Sequence, residues 1–132
     1  MNPDTFIEVA EDCPAVRAEI PPTRSGRATK ARVEYELIAG GPYTLTEEDV
    51  AFRTRVAMRD IPEADWPAER ERFLSQEKPR LRVSALAKRY GWGVHVDSNG
   101  RVALVAVESA EYQRLADDPA LRHARAFRSK RA

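Results

Sequence analysis

Residues 88–107 read KRYGWGVHVDSNGRVALVAV, and this stretch decides the fold. Lys88 and Arg89 suit the last turn of a helix, where cations offset exposed carbonyls. Gly91 can take the left-handed conformation that ends a helix, because it has no Cβ to clash. Trp92 to Asp97 then alternates as a strand. Asn99-Gly100 is the favoured pair for a two-residue type I′ loop, and Arg101 to Val107 returns. Such a loop sets Trp92 against Val107, Val94 against Val105, His95 against Leu104 and Gly93 against Ala106. Trp92, Val94 and Val96 share one face; Gly93 and His95 share the other. Residues 102–107, VALVAV, are apolar on both faces, as in a strand covered on both sides. Glycine within a strand marks close approach of a ligand or of another backbone. The expectation is a shallow recess beside a half-buried His95.

Outward from this hairpin, Ser84 caps a short helix, Ala85 to Tyr90. Ser109 caps another, to about Asp118, and Leu121 to Phe127 alternates as a last strand. Near the start, Thr5 to Ala10 alternates as a strand until Asp12-Cys13-Pro14 ends it. Residues 20–30 form a loop through Pro21-Pro22 and Ser25-Gly26. Residues 29–39 fit a strand through Val33, Tyr35 and Leu37, and a helix through Ala31, Tyr35 and Ile38. The Thr29 cap and the Gly40-Gly41 stop select the helix. Thr46 followed by Glu47, Glu48 and Asp49 opens a helix to about Asp60. A third begins near Asp65, accepts Pro67 in its first turn and turns Phe73 and Leu74 inward.

The pattern predicts an α+β fold in a single domain over 1–132, with an antiparallel sheet of about four strands and helices packed on it. The strands are residues 5–10, 92–97, 101–107 and 121–127, and the chain closes in a β-hairpin–helix–strand unit. A sheet apolar on both faces must be covered twice, by helices or by a second subunit, so a homodimer is one solution.

An apolar share of 42% in 132 residues supplies one real core without disulfide or metal staples. The charged share of 33% and a mean hydropathy of −0.57 describe a soluble surface. The longest apolar run, Val102 to Val107, falls far short of the ~20 residues that span a bilayer. The start lacks the basic and hydrophobic regions of a signal peptide. Together these predict a cytoplasmic protein that does not engage membranes.

Cys13 is the one cysteine, which excludes an intrachain disulfide and an all-cysteine metal site. His95 and His123 stand at no ligand spacing, so no metal is expected. SGRATK lacks Walker spacing and no Gly-x-Gly-x-x-Gly follows a strand, so no cofactor is expected either.

Residues 1–76 carry 10 basic and 15 acidic side chains, a balance of −5, whereas residues 77–132 carry 12 and 6, a balance of +6. Positive charge attracts oxyanions. Arg80 and Arg82 alternate with Leu81 and Val83 ahead of the Ser84 cap, and a helix N-terminus beside guanidinium groups can hold an anion. The first functional reading is therefore a non-enzymatic binding module for a small anionic ligand or an acidic partner. Its candidate residues are Arg82, Ser84, Lys88, Arg89, Gly93 and His95, with Cys13 and Arg128 secondary. The alternative is a small enzyme using Cys13 or His95 as an activated nucleophile or base. A nucleic-acid binder using the basic C-terminal half, including Arg125, Arg128, Lys130 and Arg131, ranks third, because aromatic interleaving is sparse.

LRVSALAKRYGWGVHVDSNGRVAL (81–104), with FIEVAEDCP, AEIPPT and the terminal RSKRA, resembles a small bacterial family of single-domain proteins of unknown function. The resemblance spans the chain, and KRYGWG is its most specific element. It implies a free-standing single-domain protein, carries no activity, cofactor or catalytic residue that transfers to this chain, and leaves function open.

Overall fold

The computed structural model describes residues 4–76 and 81–128. The chain runs through β1 (Thr5–Glu8), a small hairpin of β2 (Thr23–Arg24) and β3 (Arg27–Ala28), α1 (Lys30–Ala39) and α2 (Glu47–Arg59). A 3-10 turn (Glu63–Asp65) leads into α3 (Trp66–Gln76), and a second 3-10 turn (Leu81–Val83) leads into α4 (Ala85–Lys88). Then come β4 (Trp92–Val96), β5 (Val102–Ala106), α5 (Ala110–Ala116) and β6 (Arg122–Arg125).

Local chemistry starts the helices where the sequence places them. The Thr29 hydroxyl accepts the Arg32 N–H at 3.2 Å, which settles 29–39 as a helix. Thr46 and Asp49 form a reciprocal capping box that satisfies two otherwise orphaned donors of α2. Ser109 caps α5 through the Tyr112 N–H at 3.0 Å. Phe73 and Leu74 are half-buried on α3, with the Phe73 ring 6.3 Å from that of Phe52.

The main sheet has the order β5-β4-β1-β6. Its architecture is α+β, but the sheet is mixed and not purely antiparallel: β1 is antiparallel to β4 and parallel to β6. A parallel pair needs a crossover, and the whole chain between β1 and β6 provides it, so adjacent patterns in sequence could not reveal this pairing. One face carries Ile7, Val94 and Val102 against Ile38, Val50, Leu81 and Leu86, contributed by α1, α2 and the segment around α4. The other face carries Phe6 and Val105 against Tyr112 of α5. The chain's own helices thus supply a layer on each face.

The β4–β5 hairpin differs by one residue from expectation. His95 pairs with Ala103, Gly93 with Val105 and Trp92 with Ala106. The type I′ loop needs positive φ at both Asn99 and Gly100. Only Gly100 has it (φ 80). Asp97 takes control of the turn: its Oδ1 accepts the N–H groups of Asn99 and Arg101, both at 2.9 Å. The Asp97 N–H donates to the Arg101 carbonyl at 2.9 Å, closing a three-residue loop with Gly100 in the left-handed position.

Candidate functional site

Ser84, Arg82 and His95 were expected to share a site; each is committed to a different network. Ser84 is buried at the start of α4, where its oxygen accepts the Leu86 N–H at 3.1 Å and its hydroxyl donates to Glu34 Oε1 at 2.9 Å. A carboxyl from α1 therefore occupies the place expected for an external anion. Burial pushes the Glu34 pKa above its ordinary value, against the opposing effects of Ser84 and Lys30.

Gly93 likewise has no recess beside it. A Cβ there would lie 2.7 Å from Tyr112 Cε2 and 3.0 Å from Phe6 Cζ, so two aromatic rings fill the expected gap. The backbone that approaches is replaced by aromatic side chains. Phe6 and Tyr112 meet edge to face at 4.9 Å between centroids, and the Tyr112 hydroxyl accepts the Val9 N–H at 3.0 Å. α5 is pinned over that part of the sheet.

Arg82 lies at the β6 edge. Its Nε donates to the Arg125 carbonyl at 2.8 Å, its own carbonyl accepts the Phe127 N–H at 3.0 Å, and its guanidinium carbon stands 4.5 Å from the centroid of the Phe127 ring. Stacking on one side and one fixed hydrogen bond hold the fork in orientation. Among the described residues its terminal nitrogens have no ion-pair partner. Arg125 reaches Glu8 at 3.7 Å and Arg128 reaches Glu11 at 4.0 Å, both long contacts. Val83 and Phe127 are 53% and 42% exposed, placing apolar surface beside these cations. Lys88 ends α4 and Arg89 caps it, neither in an ion pair among the described residues. Arg80, Lys130 and Arg131 lie outside the described residues.

His95 belongs to a third network, built from residues that sequence reasoning missed. Its Nε2 is 3.1 Å from Asp4 Oδ2, and its Nδ1 is 2.8 Å from the Tyr43 hydroxyl. The Tyr43 ring meets the imidazole nearly at right angles (84°, 5.5 Å between centroids). Burial raises the Tyr43 pKa, and the carboxylates of Glu111, Asp97 and Asp4 raise it further. Tyr43 has a φ of 58, a left-handed backbone that side chains rarely adopt, and its N–H donates to the Val102 carbonyl at 2.9 Å. The aromatic in the loop GGPYT was the one signal that could have pointed there. Asp4 carries no local signal.

Cys13 packs beside Ala10, Ala87 and Ala126, and its thiol lies 4.0 Å from the Ala15 carbonyl. No hydrogen bond joins it to either histidine; His123 Nε2 is instead 2.6 Å from the Asp118 carbonyl. Among the described residues, no group of three or more His, Cys, Asp or Glu side chains could hold a metal ion, and no helix is long and apolar enough to cross a membrane.

A model of a family of unknown function (DUF6157) matches residues 2–132, nearly the whole chain. The chain belongs to that family. DUF6157 membership covers all three networks described above and assigns a role to none of them. No curated protein and no solved structure matches the chain.

Proposed function

We propose that this chain is a non-enzymatic binding module for carboxylate or phosphate groups, presented by a small anionic ligand or by an acidic partner. The supporting observation is Arg82, whose guanidinium is stacked on Phe127 and anchored through Nε, with no ion-pair partner for its terminal nitrogens among the described residues. Arginine recognises planar oxyanions through two parallel N–H donors, and a fork already held in place loses less entropy on binding. Arg125 and Arg128 add positive charge, because their long contacts to a half-buried Glu8 and an exposed Glu11 cost little to displace. Lys88 and Arg89 raise the potential of the same stretch of chain. Of the residues expected from sequence, Ser84, Gly93 and His95 are committed elsewhere, so the site contracts to Arg82 and its basic neighbours. The nucleic-acid reading loses ground here, since Arg82 already covers a face of Phe127 that a base would need.

NMR titration with citrate, inorganic phosphate and a glutamate-rich peptide tests the module. The expected result is saturable shifts around Arg82 and Phe127 that weaken with added salt. The affinity should fall at least tenfold in Arg82→Ala, fall partly in Arg82→Lys, and hold in His95→Ala. Preference for the peptide over citrate and phosphate would identify an acidic partner. Absence of saturable shifts, or equal affinity in Arg82→Ala, refutes the proposal.

A further inference from the structure

With a neutral imidazole, the Asp4–His95–Tyr43 chain has one direction of hydrogen bonding. A carboxylate can only accept, so His95 Nε2, 3.1 Å from Asp4 Oδ2, carries the proton. In a neutral imidazole the other nitrogen is then the acceptor, so Nδ1 receives the Tyr43 hydroxyl proton across 2.8 Å. The phenol has one proton, and this contact uses it. The phenol oxygen then keeps only lone pairs for any further partner, on a residue 38% exposed and backed by an imidazole 13% exposed. A ligand bonding to that oxygen must be a donor. Three carboxylates, Asp4, Asp97 and Glu111, act on the same phenol, and negative charge around an acceptor favours a donor that is itself positive.

We infer that Tyr43, with His95 and Asp4 behind it as positioning residues, is a binding site for a protonated amine. The loop holding Tyr43 is set for this position by the unusual backbone at that residue and by its N–H bond to β5. Strained backbone of this kind persists where surrounding structure holds it and is concentrated at ligand sites. This site is independent of Arg82, which lies at the β6 edge in a separate hydrogen-bond network, and it selects the opposite charge.

Two measurements on the full chain test it. Long-range proton–nitrogen NMR of His95 should show the Nε2-protonated tautomer in wild type and a shifted tautomer balance in Asp4→Asn, which a purely packing role for Asp4 would not produce. Titration with methylammonium and putrescine should shift the Tyr43 and His95 side-chain signals saturably, with acetate inert. Tyr43→Phe keeps the ring on the imidazole and removes the oxygen, so affinity should drop at least tenfold while Arg82→Ala leaves it unchanged. Should Tyr43→Phe not fold, Asp4→Asn serves in its place and should weaken amine binding severalfold. An Nδ1-protonated tautomer, a doubly protonated imidazolium, an unsaturable response to both amines, or equal binding in the folded variant overturns the inference.

Discussion

Glu34 shows how far a residue's role can depart from its local pattern. On a helix it reads as one of several solvated acids, yet it is buried and bonded to Ser84 across 50 positions of chain. Its raised pKa carries a sign. The folded state favours the neutral carboxyl, so the stabilising contribution is fully present below the ordinary value of 4.5 and is lost as pH rises through the higher folded value. Glu34→Gln keeps an acceptor for Ser84 and cannot ionise. Its stability relative to wild type should therefore increase from pH 4.5 toward pH 8 in urea melts; a pH-independent difference would mean the carboxyl is solvated. Gly93 and His95 teach the same lesson. Alternation correctly puts them on one face, away from Trp92, but side chains distant in sequence decide what meets that face. Phe6 and Tyr112 close over the glycine, and Asp4 and Tyr43 take the imidazole nitrogens.

At the scale of elements, the caps were legible because each is a contact within three residues. Thr29, Thr46, Ser84 and Ser109 all act as expected. The hairpin was legible as a hairpin, but its loop length turned on Asp97, whose carboxylate collects two N–H groups and outcompetes the type I′ geometry. The two loops make opposite mutational predictions. In the three-residue loop Asn99 has ordinary φ, so Asn99→Ala should change stability by less than ~0.5 kcal/mol. Gly100 has φ 80 with no atom closer than 4.0 Å to an added Cβ, so Gly100→Ala should cost about 1 kcal/mol through backbone conformation alone. Thermal melts of both variants decide it, and a large loss in Asn99→Ala would restore the type I′ reading.

At the scale of the molecule, the strand nearest the start of the chain is central. β1 is paired on both sides, whereas along β6 the N–H groups of Arg122 and of Ala126, just past the strand, turn inward to the carbonyls of Asp4 and Glu8, so the alternate positions 123 and 125 fall on the outer edge. Hydrogen exchange should accordingly be slowest at residues 6–7 and 93–95 and faster at 123 and 125. Rapid exchange across β1 would contradict the mixed sheet order. Among the described residues, opposed charges of the two halves meet at this edge through Arg125–Glu8 at 3.7 Å and Arg128–Glu11 at 4.0 Å. By itself the sequence determined the helix starts, the hairpin, the two-sided burial of its strands and the α+β class, because capping and alternation act over a few residues. Only the tertiary structure decided that β6 runs parallel to β1, that aromatic rings fill the space at Gly93, and that His95 lies between Asp4 and Tyr43. These contacts join positions far apart in the chain, and which distant side chains meet is set by how the layers pack.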